Sequence, residues 1–87
     1  MIVKKKIPPK YFDLISSGKK KFELRVADFD IKVGDMLILE EYDPKKKKYT
    51  GRKMKKKVGY KLHFSLNQFG QKDLIEKKGL YILQLED

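Results

Sequence analysis

The sequence predicts a small mixed α/β domain, mainly β, in which the strands form a mixed or antiparallel barrel capped by one short helix. Its 87 residues are enough for a single domain over residues 1–87 with a small core. The apolar residues make up 40% of the chain and fall in short runs of strand length. One helical pattern lies between the first two of these runs. The predicted order is therefore β-α-β-β-β-loop-β.

The N-terminal part of the chain predicts a strand followed by a short helix. Residues 2–7 are typical of a strand with polar outer positions that ends at Pro8 and Pro9, because proline donates no hydrogen bond to a sheet. Proline is also favoured in the first turn of a helix. Residues 10–17 carry apolar side chains at helical spacing, and Gly18 is a typical C-terminal stop. Because a helix of about two turns is unstable alone, we expect it to lie on the sheet.

The second predicted strand, residues 21–26, alternates apolar and charged side chains. On a strand, the apolar set would face the core and the charged set would form a row on the other face. The two sets are Phe22, Leu24 and Val26, and Lys21, Glu23 and Arg25. We expect this row to hold one carboxylate between two cations, on a solvated sheet face or on the floor of a polar cleft.

A loop over residues 27–33 leads into a long predicted hairpin. Gly34 lies in a tight turn before a strand over residues 36–42, whose continuous apolar start is typical of a strand covered on both sides. The turn then carries a solvated tip that is rich in lysine. The return strand runs from residue 49 to residue 64, with one apolar and one basic edge.

The C-terminal part gives weaker signals. Residues 65–78 contain loop-forming residues, and a second helical turn near residues 72–78 would be stopped by Gly79. Residues 80–85 are predicted to form the closing strand, which would complete the barrel.

Composition limits the class of function. The formal net charge of +10 favours a polyanionic partner, which is nucleic acid, an anionic membrane surface or an acidic protein. The absence of cysteine excludes disulfides, thiolate metal sites and a cysteine nucleophile. No apolar run approaches the ~20 residues of a membrane span, and the N-terminus lacks a signal-peptide segment. We therefore expect a cytoplasmic monomer without a cofactor or a metal site.

The segment around the helix stop carries a motif. Gly18, Lys20, Glu23 and Arg25 fit the pattern G-x-K-x-x-E-x-R. This pattern resembles the motif of the ASCH domain (activating signal cointegrator homology), a branch of the PUA-like superfamily. The helix before the motif, the turn at Gly34 and the hairpin are similar to a small bacterial and phage subfamily of unassigned function. The resemblance covers residues 1 to about 64 and the final strand.

The resemblance implies a PUA-like β-barrel that binds RNA or a nucleotide in a cleft beside the first helix. Lys20, Glu23 and Arg25 would line that cleft. Some relatives are enzymes, namely a small amidohydrolase that acts on acetylated cytidine and a ribonuclease. The amidohydrolase has a threonine nucleophile where this chain has Glu23, so its activity is not carried over to this protein.

Each motif residue has a binding role and a structural alternative. Glu23 could accept hydrogen bonds from a base, a ribose hydroxyl or an amino group, act as a general base, or orient Arg25 in a salt bridge. Arg25 offers a planar fork for phosphate or guanine, or pairs with an acid. Lys20 reaches a phosphate or stays solvated. Lys20 and Glu23 are also the candidate catalytic pair.

The return strand adds a second candidate site, a basic face with aromatic neighbours. Cations that alternate along a strand can follow a phosphate backbone. Tyr42 and Tyr49 could stack bases nearby. The cations are Arg52, Lys53, Lys55, Lys57 and Lys61. For the lysine-rich hairpin tip, a solvated surface that resists aggregation is the alternative.

Three function classes follow. The preferred prediction is a module that binds RNA or a nucleotide through the motif cleft and the basic strand face. The alternative is a small hydrolase that acts on a modified nucleoside or on RNA, with Lys20 and Glu23 as the working pair. The third is an adaptor that binds an acidic protein.

Overall fold

The computed structural model describes residues 1–86, which form a three-stranded sheet and two helices. The elements in order are β1 (Ile2–Ile7), α1 (Pro9–Ser16), β2 (Met36–Asp43), β3 (Lys48–Lys57) and α2 (Lys72–Lys78). The strand order is β1-β2-β3, with β1 parallel to β2 and β2 antiparallel to β3. The small mixed α/β class predicted from the sequence is confirmed.

The first helix forms for the reasons that the sequence suggests. Pro8 precedes it in an extended conformation, with φ −68° and ψ 155°, and its carbonyl accepts the Phe12 N–H at 3.0 Å. Gly18 has a φ of +79°, a conformation that favours glycine, and it follows the end of the helix. Phe12 and Ile15 are the buried residues of α1. Packing on the sheet therefore stabilises this short helix.

The core lies between α1 and one face of the sheet. It contains Ile7, Phe12, Ile15, Leu37 and Leu39, with Val3, Ile31, Met54 and Val58 packed against it. The residues of β2 are fully buried at alternate positions and only half-buried between them, so α1 covers one face of this strand. The prediction of a strand covered on both sides is wrong, because α2 has no buried residue that could cover the second face.

The tight turn predicted before β2 is confirmed. Gly34 has a φ of +96°, and its N–H donates to the Val58 carbonyl at 2.8 Å. The Asp35 carboxylate accepts the Lys32 N–H at 2.8 Å. That hydrogen bond is the main reason why the pKa of Asp35 lies below its usual value. The turn therefore fixes the start of β2 against the end of β3.

The sheet is not closed into a barrel, so this part of the fold prediction is wrong. Residues 21–26, 58–64 and 80–85 were predicted as strand, but none of them forms a strand in the described chain. The carbonyl of Lys6, on the edge strand β1, accepts the Arg25 guanidinium at 2.8 Å. The Arg25 side chain therefore binds a carbonyl on the edge strand. In a closed barrel, a backbone N–H of the closing strand would bind such a carbonyl instead.

The C-terminal part is connected to the motif segment by one side chain. The Gln84 amide accepts the Lys21 N–H at 2.5 Å and donates to the Lys19 carbonyl at 3.3 Å. The predicted helical turn is confirmed as α2, and it ends at Gly79, where φ is +75°. The apolar side chains beyond it remain open to solvent, with Tyr81 91% exposed. Within residues 1–86, no helix is both long and apolar enough to cross a membrane.

Candidate nucleic-acid interface

The motif side chains meet although their segment is not a strand. Lys20 Nζ lies 3.1 Å from Glu23 Oε1, and Arg25 Nε lies 2.8 Å from Glu23 Oε2. The three side chains are between 16% and 29% exposed. One carboxylate is therefore held between two cations, but they are Lys20 and Arg25 and not the Lys21 and Arg25 of the predicted row, and the segment is a loop and not a strand. We call Lys20, Glu23 and Arg25 the motif triad.

Contacts with α1 and β1 hold the motif triad in place. Arg25 Nη2 donates to the Lys6 carbonyl of β1. Lys20 Nζ lies 5.0 Å from the ring centroid of Tyr11, on α1, and 4.8 Å from that of Phe22, within the range of cation–π attraction. Each carboxylate oxygen of the triad already accepts one charged hydrogen bond. A ligand would have to extend these contacts or displace them.

Two recesses lie near the predicted sites. One, of about 350 Å³, is lined by Gly18, Lys21, Gln84, Leu85 and Glu86. The other, of about 300 Å³, lies at the hairpin tip. The first lining includes the glycine of the motif, but neither lining includes a member of the motif triad. The triad therefore lies beside these recesses and not within them, and its role in a ligand cleft stays a prediction.

The sheet face opposite α1 carries lysines from both outer strands. Side chains alternate between the two faces of a strand, and the pairing register shows which of them lie together. The rows across this face are Lys4–Ile38–Lys55, Lys6–Glu40–Lys53 and Ile2–Met36–Lys57, and a Tyr42–Tyr49 pair lies at the hairpin end. We call this surface the open face.

The lysines of the open face form two lines. Same-face residues lie ~6.5 Å apart along a strand, and the two outer strands lie ~10 Å apart across the central one. All five lysines, Lys4, Lys6, Lys53, Lys55 and Lys57, are exposed, and Glu40 is the acid among these rows. The sequence pattern puts the lysines of β1 at outer positions but does not assign them to a site, because only the pairing of β1 with β2 shows which face they share with β3.

Aromatic rings extend the open face at its hairpin end. The Tyr42 and Tyr49 rings meet edge to face, with centroids 5.1 Å apart and an interplanar angle of 74°. Lys6 Nζ lies 4.4 Å from the centroid of Tyr42. Tyr49 is 54% exposed. Tyr42 is therefore held by its neighbours, whereas Tyr49 presents ring surface to solvent.

Arg52 lies on the helix-bearing face, so the prediction that it belongs to the same basic face as Lys53, Lys55 and Lys57 is wrong. Its Nε and Nη2 donate to Glu41 at 2.9 and 2.6 Å, and Nη2 also donates to Asp13 of α1 at 2.9 Å. The Thr50 hydroxyl donates to Glu41 at 2.6 Å. The guanidinium lies 4.5 Å from the centroid of Phe12. Arg52 therefore connects the hairpin to α1.

Glu41 is a buried acid whose role as a charged partner is not among the predictions from the sequence. It is 3% exposed. Hydrogen bonds from Arg52, and then from Thr50, hold the pKa of Glu41 at about 2, against the opposing effect of burial. The register shift between Glu40 and Tyr42 places Glu41 against this part of β3. Glu41 lies at the same alternate positions of β2 as the buried Leu37 and Leu39, and this spacing in the sequence indicates that Glu41 is buried too.

Lys61 is also separate from the open face. It lies beyond β3, and its Nζ donates to the Ile31 carbonyl at 2.8 Å. Within residues 1–86, no three acidic or histidine side chains cluster closely enough to hold a metal ion. The sequence-predicted residues therefore separate into the motif triad, the β3 lysines with the tyrosine pair, Arg52 and Lys61.

Comparison with known proteins places this chain in a family. A model described as "Domain of unknown function (DUF3850)" matches residues 2–75. The chain belongs to the DUF3850 family. It is also similar to the "Uncharacterized 12.9 kDa protein in GpA 3'region" of Escherichia phage P2, with 42% identity over 53 residues, which is 61% of this chain. The match covers 47% of that relative, about half its length. No solved structure matches the chain.

The DUF3850 region contains the whole candidate interface. β1, β2, β3 and the motif triad all lie within residues 2–75. Gln84, which bridges the C-terminal segment to the motif segment, lies outside the match. The open face and the motif triad therefore lie within the region of this chain that matches the DUF3850 model.

Proposed function

We propose that the protein binds single-stranded RNA or a nucleotide, on the open face and beside the motif triad. The observation that carries the proposal is the strand register, which puts five lysines of β1 and β3 in two lines on one face. A strand of RNA along these lines would release counterions as its phosphates are neutralised, and this release favours binding. The net charge of +10 adds long-range attraction for a polyanion.

Exposed aromatic surface supports a single strand as the ligand. Unpaired bases can stack on aromatic side chains, whereas the bases of a duplex are already stacked on each other. Tyr49 offers such a ring next to the lysine lines. Glu40, between Lys6 and Lys53, would accept a hydrogen bond from a ribose hydroxyl or an exocyclic amine. The lysines supply affinity for any sequence, Tyr49 favours unpaired bases over a duplex, and Glu40 offers a contact that can distinguish one base or sugar from another.

The motif triad supports a relationship to the ASCH domain of the PUA-like superfamily. The G-x-K-x-x-E-x-R pattern follows the helix stop at Gly18, and its three charged side chains are in contact. In this proposal, Lys20 contacts a phosphate while Glu23 and Arg25 contact a base or sugar. The bond from Arg25 to the carbonyl of Lys6 puts the triad at the edge strand of the open face. A bound strand could therefore reach both surfaces.

Titration of a single-stranded RNA oligomer at several salt concentrations tests the proposal. Each phosphate neutralised contributes about 0.7 to the slope of log affinity against log salt, so five lysine contacts predict a slope of about −3.5. Replacing Lys53, Lys55 and Lys57 together by glutamine leaves two of the five contacts and should reduce the magnitude of this slope to about 1.4. The matched control replaces three exposed lysines of α2, Lys72, Lys77 and Lys78, and should keep the wild-type slope.

The outcomes separate the function classes. Absence of RNA binding at low salt contradicts the proposal. An equal reduction of the salt slope in the β3 variant and in the α2 control would mean that binding depends on total charge and not on the open face. An acidic protein that the chain retains after nuclease treatment, without RNA binding, would favour the adaptor.

A hydrolase is the second candidate, and the contact between Lys20 and Glu23 at 3.1 Å is the observation that favours it. A lysine and a carboxylate in contact can transfer protons during hydrolysis. Incubation with acetylated cytidine or RNA, with and without Mg²⁺, tests this candidate. Turnover that disappears in Glu23→Ala would support it, and the lack of turnover in the wild type would contradict it.

A further inference from the structure

The hairpin tip contains a recess that shares only Tyr49 with the open face. Its volume is about 300 Å³, and it is lined by Asp43, Lys46, Lys48, Tyr49 and Thr50. This volume is at the lower end of the range for small-molecule sites. The lining combines two cations with an aromatic ring, which are the groups that recognise a phosphate and a base.

The turn itself builds this recess. Asp43 Oδ1 accepts the backbone N–H groups of Lys45 at 2.9 Å and Lys46 at 3.3 Å, which closes the chain on itself at the end of β2. Lys47 has a φ of +54°, so the chain reverses direction there. As a result, Lys46 and Lys48 both line the recess, on either side of the residue that reverses the chain.

Tyr49 connects the recess with the open face. It lines the recess and is also paired with Tyr42, whose ring contacts Lys6 in the adjacent row. Tyr49 is 54% exposed, although its edge-to-face contact with Tyr42 restricts the position of its ring. A partly fixed, exposed ring loses little conformational freedom when a base stacks on it.

We propose that this recess holds one nucleotide, with the base stacked on Tyr49 and the phosphate between the ammonium groups of Lys46 and Lys48. The inference rests on the proposed function, because it assigns the recess to the end of an RNA strand that lies on the open face. The Asp43 oxygen that accepts the two turn N–H groups has its charge partly offset by them. The two lysines therefore determine the preference of the recess for an anion.

NMR titration with uridine monophosphate tests the inference, with uridine and inorganic phosphate as separate arms. The ring signals of Tyr49 should shift with the nucleotide, at a lower concentration than with either part alone. Tyr49→Leu should weaken binding about tenfold, whereas Tyr49→Phe should bind like the wild type because it keeps the ring. The amide spectrum of each variant shows whether the hairpin is folded.

A matched lysine separates the recess from the general charge of the turn. Lys46→Gln and Lys48→Gln should weaken binding of the nucleotide but not of uridine. Lys45→Gln removes the same charge from the same turn, and Lys45 does not line the recess, so it should leave binding unchanged. Equal weakening by all three variants, or an equal response to inorganic phosphate alone, would overturn the inference.

The two proposals fail differently. Unmoved Tyr49 signals, together with salt-dependent RNA binding that requires the β3 lysines, would remove the nucleotide recess and leave the open face. Absence of RNA binding at low salt would remove the proposed function itself.

Discussion

Replacing Lys4 and Lys6 by glutamine is the sharpest test of the open face. These lysines are far from β3 in the sequence, and only the pairing register of β1 and β2 places them on the same face as Lys53 and Lys55. The double variant removes two of the five cations. At about 0.7 per phosphate, the size of the salt slope should fall from about 3.5 to about 2.1. Across a tenfold range of salt, this difference corresponds to a factor of about 25 in affinity.

The assay is fluorescence anisotropy of a labelled single-stranded RNA of about ten nucleotides, between about 20 and 200 mM salt. The matched control is the double variant Lys5→Gln and Lys56→Gln. These two residues lie on the same two strands, at positions that alternate with the open-face lysines. Lys5 Nζ instead lies 3.8 Å from the centroid of Phe29. Both double variants change the net charge equally, so they differ in which face loses the charge.

Equal slopes in the two double variants would refute this interpretation of the register. A lower affinity of the Lys4 and Lys6 variant at every salt concentration, with an unchanged slope of log affinity against log salt, would also refute it. The lysines would then act without releasing counterions. Thermal unfolding of both variants, followed by circular dichroism, shows whether a difference in binding reflects a difference in folding.

Three further predictions concern stability. The pKa of Glu41 is about 2 in the folded chain and 4.5 ordinarily, so the contribution of its ionised carboxylate to folding stability is complete above pH 4.5 and is lost as the pH falls towards 2. The urea concentration at the midpoint of unfolding should therefore fall across this pH range. An equally steep fall in Glu41→Gln would contradict the assignment. Leu39→Ala should lower the free energy of unfolding by about 2–5 kcal/mol, because Leu39 is 1% exposed. In the same denaturation assay, Ile2→Ala should lower it by less than about 0.5 kcal/mol, because Ile2 is 58% exposed on the open face. Similar losses at the two sites would mean that the core is misplaced. Gly34→Ala should lower the free energy of unfolding by about 1–2 kcal/mol, because a φ of +96° is strained for a residue with a Cβ. Gly59→Ala is the control, because Gly59 has no comparable φ. Equal unfolding free energies for the two variants would rule out strain at Gly34.

Local rules predicted the elements that local contacts hold. The apolar spacing, the prolines at the start and Gly18 at the end were sufficient for α1, and the Gly79 stop was sufficient for α2. Barrel closure depends instead on pairing between segments that are distant in the sequence, such as residues 21–26 and 80–85. Alternation within each segment does not identify its partner. In the structure the Gln84 side chain connects these two parts of the chain, which no strand pattern predicts.

The site residues show the same limit. Strand alternation grouped Glu23 with Lys21 and Arg25, whereas the structure pairs it with Lys20 and Arg25, the set that the resemblance to the ASCH motif implied. Because the segment is a loop, alternation could not identify Lys20 as the partner. Arg52 was grouped with Lys53 by charge. Neighbouring residues on a strand face opposite ways, and Arg52 binds Glu41 on the other side of the sheet. The tertiary partner, which periodicity does not provide, decides the role of each cation.

The placement of the acids explains why the open face is so basic. On the helix-bearing face, Asp13 and Glu41 both bind Arg52, and Glu23 binds two cations beside β1. Glu40 is the acid among the open-face rows. Because strands alternate with a period of two, a slip of β3 by one residue would turn its open-face lysines toward the core and expose Met54. The burial that positions Met54 against the core is therefore also what directs the lysines outward, so the hydrophobic core itself creates the cationic surface proposed to bind RNA.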